Sequence, residues 1–282
     1  MINYDDLEGF NNLEDLNKEL EKRANIHNNK AIAEFEGLTP LQMGQLQNFP
    51  EGTCLLILNK LSENELEECP LLVQIRFLID KMKGGKEIQL TKTGALSTKL
   101  VKEIYALGCL KNEEIEYGIS KLYKEADVLE INITRILLEM SSLVKKKNGK
   151  FSLTKKGKKH ADDGNFILEE IMTILFYKFN WGYYDGYESE AIGRVNPAFS
   201  LYLLKKYGSK KRSAYFYAEK YFSAFPQLME EGDHTFRCYA LRTFERYFKF
   251  MGFVQVEKEG ILPTADLRKT TFFDQLFSLE PK

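Results

Sequence analysis

The stretch that most constrains the fold is residues 131–160, INITRILLEMSSLVKKKNGKFSLTKKGKKH. Ile133, Ile136, Leu137 and Met140 recur at helical spacing, so one apolar stripe faces a core and Thr134 and Arg135 are expected to point outward. The helix is expected to end near Leu143. Asn148-Gly149 then gives a strong hairpin signal, because both central residues of a type I′ turn take positive φ. A second strand over 151–154 leads into a further helix.

The same stretch concentrates positive charge. Residues 133–161 hold 9 Lys/Arg against 1 Asp/Glu, whereas residues 1–69 hold 5 against 14, within a chain of net charge −1. That balance excludes a generally basic, nucleic-acid-coating protein. Local density matters more, since salt limits the reach of exposed charge to about 8 Å. Lys145, Lys146 and Lys147 lie on one expected strand, Lys150 opens the other, and Lys155, Lys156, Lys158 and Lys159 follow the hairpin. Clustered ammonium groups on a tight turn suit a phosphate backbone, where released counterions supply most non-specific affinity. The plainer reading is a lysine-rich hairpin that guards an edge strand.

At 282 residues and 44% apolar composition the chain has ample material for a core, and its apolar runs are far shorter than a membrane span. The acidic start MINYDDLEGF lacks the basic then apolar order of a signal peptide, so a cytoplasmic protein is expected. Cys54, Cys69, Cys109 and Cys238 are scattered, and with three histidines they give no zinc-ligand spacing. No metal and no cofactor is expected.

Along the chain, Leu13, Leu16 and Leu20 mark a surface helix, and Thr39-Pro40 caps a second. Glu63–Glu68 reads as a solvated helix face. Leu71, Ile75, Leu78 and Met82 form a helix ended by Gly84-Gly85, followed by a strand at 88–91, a helix at 97–107 and another at 114–123. Residues 166–179 give a strongly apolar helix, 199–226 give two helices broken at Gly208, and Phe236, Leu241, Phe244, Tyr247, Phe248 and Met251 form a helical stripe. A last short helix lies near 272–277.

The passages 84–94, 142–157 and 252–270 each follow an amphipathic helix, add β-rich sequence and end in a threonine able to cap a helix, which suggests internal duplication. Helix then hairpin is the order of the recognition helix and wing of a winged helix-turn-helix. The expected fold is therefore mainly α with small β-hairpins, as tandem winged-helix-like units packed with additional helices. The expected divisions are an acidic helical region at 1–69, winged-helix-like units at 70–112, 113–162 and 233–282, and an aromatic-rich helical connector at 163–232.

Leu153-Thr154-Lys155-Lys156-Gly157 closes the hairpin, and Leu90-Thr91-Lys92-Thr93-Gly94 has the same form. At these residues the chain resembles winged-helix transcription regulators of the multiple-antibiotic-resistance-regulator type, whose wing commonly ends in Leu-Thr, two residues and Gly. The whole chain is also similar to uncharacterised bacterial proteins with repeated LTxxG segments. In such regulators the helix before the wing reads the major groove. By position that role falls on Thr134, Arg135 and Glu139.

Enzyme signals are weak. Gly84-Gly85-Lys86 lacks the remainder of a phosphate-cradling loop. Ser142 with Lys145 and Lys92-Thr93-Gly94 stand in the wrong order for serine acyl transfer. His27, His160 and His234 read as surface residues remote from any nucleophile. No catalytic residue is expected.

Two other regions mix rings and charge. Trp181, Tyr183, Tyr184 and Tyr187, with Asp185, Glu188 and Glu190, form a glycine-punctuated loop that suits either a partner or ligand pocket or interdomain packing. The Tyr/Phe and Lys/Arg mixture at 205–222 suits either single-stranded base stacking or core aromatics beneath a solvated basic face. Two functions follow: a non-catalytic nucleic-acid-binding protein, with DNA the expected target, or a protein-interaction scaffold whose acidic N-terminal region contacts a basic partner or its own wing. Neither involves a membrane, and the oligomeric state stays open.

Overall fold

The computed structural model describes residues 12–50, 55–229, 234–257 and 266–280. Among these the chain is mainly α-helical with small antiparallel sheets. α1 (Leu13–Asn28) starts at Asn12, whose side chain accepts from the Asp15 N–H, and it buries no residue. α2 (Pro40–Gln47) has the expected cap: Thr39 accepts from the Gln42 N–H at 3.2 Å and the Gln42 side chain accepts from the Thr39 N–H at 2.9 Å. β1 (Leu56–Leu58) pairs antiparallel with Phe277–Leu279, which ties the start of the fold to its end. α3 (Glu63–Leu66) follows as a single turn.

The first unit runs from α4 (Pro70–Lys81) through β2 (Ile88–Gln89), α5 (Thr98–Tyr105), α6 (Glu113–Glu116), α7 (Leu129–Met140), β3 (Val144–Lys147) and β4 (Lys150–Leu153) to α8 (Lys155–His160). Its sheet order is β2-β4-β3. Ile88 pairs with Phe151, so the segments expected to form two units, 70–112 and 113–162, share one sheet. The expected boundary is corrected accordingly, because a two-residue strand has no sheet without β4. The expected helix over 114–123 is one turn, Glu113–Glu116, followed by Gly118 at φ 73°. Asn148 and Gly149 take φ of 51° and 70°, as the hairpin turn requires.

α9 (Gly164–Tyr177) buries Ile167, Leu168, Ile171, Met172, Ile174 and Leu175 and packs on α4 and α7. The second unit contains α10 (Pro197–Tyr207), β5 (Arg212–Ser213) and α11 (Ala214–Ala224), then α12 (His234–Tyr239), which continues as a π-helix over Ala240–Phe248. β6 (Val254–Glu257), β7 (Asp266–Lys269), α13 (Thr271–Leu276) and β8 (Phe277–Leu279) complete it. The sheet order is β5-β7-β6, with Arg212 opposite Leu267. The expected division at 232/233 therefore also cuts a sheet. Part of the 252–270 passage, residues 258–265, lies outside the described residues.

Apart from the single-turn α6 of the first, both units share an element order: helix, short strand, helix, helix, hairpin, with the short strand on the second hairpin strand. They share a hinge as well. Thr154 donates from its N–H to the Leu143 carbonyl and from its hydroxyl to the Ser142 carbonyl, and accepts from the Gly157 N–H. Thr270 does the same with Phe253, Gly252 and Phe273. Thr91, expected to act likewise, instead accepts from Ala95 N–H in a turn, and Ser97 caps α5. One cluster of buried side chains runs through both units, and in the second it is dominated by rings such as Tyr217, Tyr221, Tyr239, Phe244 and Phe248.

Candidate nucleic-acid interface

Strand alternation sorts the hairpin lysines. Phe151 and Leu153 face the core, so their partners Lys146 and Val144 share that face, whereas Lys145 opposite Ser152 and Lys147 opposite Lys150 lie on the other. Lys145 and Lys147 are exposed and make no ion pair among the described residues. Lys150 pairs with Glu87 at 2.8 Å. Lys146 reaches back to Glu139 at 2.9 Å.

The lysines after the hairpin sit on α8. Thr154 caps this helix, and Gly157 lets it close on the preceding corner: a Cβ there would lie 2.0 Å from the Leu143 carbonyl oxygen. Lys155, Lys158 and Lys159 are exposed and without an ion pair among the described residues. Lys156 is held by Glu170 at 3.1 Å and lies over the Phe166 ring. Burial alone would raise the Glu170 carboxyl, but donation from Ser142 and Lys156 keeps it below the usual value. His160, expected at the surface, stacks on Phe166 at 3.8 Å. The eight lysines therefore divide into five free amines and three held by carboxylates.

The helix before the hairpin does not present the expected reading face. Thr134 is fully buried and donates to the Gln74 side chain at 2.7 Å. Arg135 bonds Glu125 at 2.6 Å and Glu139 at 2.7 Å. Along α7 only Met140 is exposed. The physical reason is packing from several directions: α4, α5 and α9 pack against it, and the 107–128 segment supplies Glu125. Glu125 also accepts from Leu96 N–H and Asn132, so it ties α5 to α7. A buried Glu in a polar stretch carries no sequence signal, and periodicity did not reveal it.

The aromatic loop fills space. Trp181 is buried with its ring 4.7 Å from Phe179 and 5.8 Å from Phe250, and Tyr184 stacks on Phe179. Tyr187 is half-buried, and Tyr183 alone of the four is exposed. Trp181 and Tyr184 thus meet on Phe179, whereas Tyr183 points to solvent. Asp185 on this loop instead receives both Nε and Nη2 of Arg242 at 2.8 Å, and Arg242 also donates to the Ser189 and Ile192 carbonyls. A 3.6-residue period keeps Leu241 on the apolar stripe, but the π-helix changes the phase and buries Arg242.

Cys69 and Cys238 are buried, Cys109 is half-buried, and burial pushes the Cys69 thiol up to about 12. Cys54 lies outside the described residues. Among the described residues no group of three or more His, Cys, Asp or Glu is placed to hold a metal, and no helix is long and apolar enough to cross a membrane.

The family model described as Y4jL N-terminal domain matches residues 67–165, the span from the approach to α4 to the start of α9. Over that span the chain is similar to this family. No curated protein and no solved structure matches the chain.

Proposed function

We propose that both units are winged helices, related by duplication, and that the first binds nucleic acid through its phosphates in a regulatory or accessory, non-catalytic role. The element order and the repeated threonine hinge support the winged-helix reading. One observation carries the partner: Lys145 and Lys147 project from one hairpin face with free amines, and Lys155, Lys158 and Lys159 follow on α8. Thr134 and Arg135 belong to the packing, so the contact positions the backbone without reading base edges.

Five free amines on phosphates imply that log affinity falls with log salt at a slope of about −4.5. Titration of duplexes of unrelated sequence checks this. The expected result is that slope, with affinities agreeing within a few-fold between sequences. Negligible binding at low salt ends the reading, and strong preference for one sequence ends its phosphate-only form.

A second reading has its own observation. Tyr117 at 79%, Ile119 at 76% and Tyr123 at 62% exposure stand on the segment between α5 and α7. Exposed rings and aliphatics on one segment suit a protein partner, with the winged helices serving as packing modules. Loss of a co-purifying protein on changing all three to Ser favours it.

A further inference from the structure

The basic and aromatic residues at 205–222 converge on the second unit around a single carboxylate. Lys206 and Tyr207 end α10, Arg212 lies on β5 and Lys220 on α11. Between them sits Glu36, from the turn before α2. Lys220 Nζ lies 2.6 Å from Glu36 Oε1, Lys206 Nζ lies 3.1 Å from Oε2 and 2.6 Å from the Glu36 carbonyl oxygen, and the Tyr207 hydroxyl donates to Oε2. The acidic N-terminal region thus does touch a basic surface of its own chain, but at this place.

The delivery of Glu36 is unusual. Its φ is 57° and that of Gly37 is 85°, two successive left-handed residues of which only the glycine adopts this region freely. The turn holds its shape through Glu36 N–H to Ala33 and Gly37 N–H to Ile32. The sequence therefore tolerates a backbone cost in order to place a carboxylate here.

The receiving site has more donors than the carboxylate uses. Arg212 lies 4.2 Å from the Phe216 ring centroid, and Lys220 lies 4.8 Å from that of Tyr207 and 4.9 Å from that of Phe216. Arg212 makes no ion pair among the described residues, and its Nε is buried without a hydrogen-bond partner. Two lysines and a phenol hold one monoanion with two oxygens, and Arg212 stands beside them against the Tyr207 and Phe216 rings. A phosphate monoester, with up to two charges and three terminal oxygens, matches that set better, and Arg and Lys both favour it. Burial alone would raise the Glu36 carboxyl, yet its donors hold it below the ordinary value, as they would any anion placed there.

We propose that Lys206, Tyr207, Arg212 and Lys220 form a phosphate-monoester site and that Glu36 is its built-in occupant, which leaves when a phosphate group enters. The site is independent of the Lys145 hairpin. The N-terminal region then reports occupancy, since Glu36 leads directly into α2, and α2 packs on α10.

The test uses the full chain at constant ionic strength, with inorganic phosphate as the probe in isothermal titration calorimetry. Glu36→Gln is expected to bind phosphate at least tenfold more tightly than the wild type, and adding Lys220→Ala to remove that gain. A folded Glu36→Gln chain that binds no better than wild type overturns the proposal, as does a gain that survives Lys220→Ala. If Glu36→Gln fails to melt cooperatively, Glu36→Asp, which withdraws the carboxylate by one methylene, carries the same comparison. A trinucleotide with a 5′-phosphate is compared with its 5′-hydroxyl form. Tighter binding of the phosphorylated form than of free phosphate assigns a nucleic-acid end as the source, and equal binding assigns free phosphate.

Discussion

The two hairpins have the same hinge and opposite surfaces. In the first unit Lys145, Lys147 and Lys150 occupy the solvent face. In the second the corresponding described positions are Gln255, Glu257, Asp266 and Arg268, and Lys211 pairs with Glu257 at 2.7 Å. The threonine hinge is fixed by backbone geometry that both hairpins need. The charge is free to differ because a solvated strand face contributes little to folding. Shared residues therefore describe the scaffold, and function belongs to what differs.

The third helices give a second contrast. Each carries an arginine held by carboxylate, but Arg242 and Asp185 are both nearly inaccessible, whereas Arg135 keeps some exposure and the further donors to Glu125, at 2.6 and 2.7 Å, are closer than those to Asp185, at 3.2 and 3.5 Å. Among the described residues, Arg242→Ala leaves the buried Asp185 with only the Tyr187 N–H at 3.2 Å and Arg246 at 3.5 Å, and is expected to destabilise by about 3–5 kcal/mol, the largest effect in the set. Arg135→Ala is expected to cost about half of that, since Leu96 N–H and Asn132 still serve Glu125. Urea unfolding ranks the two, and equal losses would break the contrast.

The hinge offers a finer test. Gly157→Ala drives a Cβ into the Leu143 carbonyl and is expected to cost about 2–3 kcal/mol, while the equivalent position of the second unit already holds the buried side chain of Phe273. Thr154→Ala and Thr270→Ala are expected to cost about 1 kcal/mol each through loss of a cap, and to agree closely. A large disparity between the threonines would mean that the hinges are not equivalent.

The smallest effect lies where α7 faces the π-helix. Burial pushes the Glu130 carboxyl up, and its Oε2 lacks a hydrogen-bond partner, with Arg246 and Lys249 nearby. A carboxyl whose folded pKa exceeds its unfolded one opposes folding above that value, and the penalty fades as the pH falls through it. Glu130→Gln is thus expected to raise the urea midpoint at pH 8 and to lose the advantage toward pH 4. A pH-independent difference would contradict the burial argument.

Much of this is legible in the residues alone, and the failures have physical causes. The hairpin turn, the caps at Thr39 and Thr154, and the mainly helical class follow from local rules that tertiary contacts did not override. The unit boundaries did not follow, because β2 and β5 are two-residue strands whose partners lie more than fifty residues away. The outward placement of Thr134 and Arg135 assumed one buried face opposite a solvated one, and neighbouring elements at least partly cover every residue of α7 but Met140. Exposure of lysines was readable from composition, but which amines are free was set by Glu87, Glu139 and Glu170, two of them distant in sequence. The Glu36 contact spans 170 residues and left no local mark.

The most direct measurement sets one hairpin against the other on a short DNA duplex at low salt. One chain carries Lys145→Glu, Lys147→Glu and Lys150→Glu, and a second carries Lys211→Glu and Arg268→Glu. The account predicts at least a tenfold loss of affinity for the first and wild-type affinity for the second. Equal affinity in the first chain and the wild type, or a loss confined to the second, would contradict it.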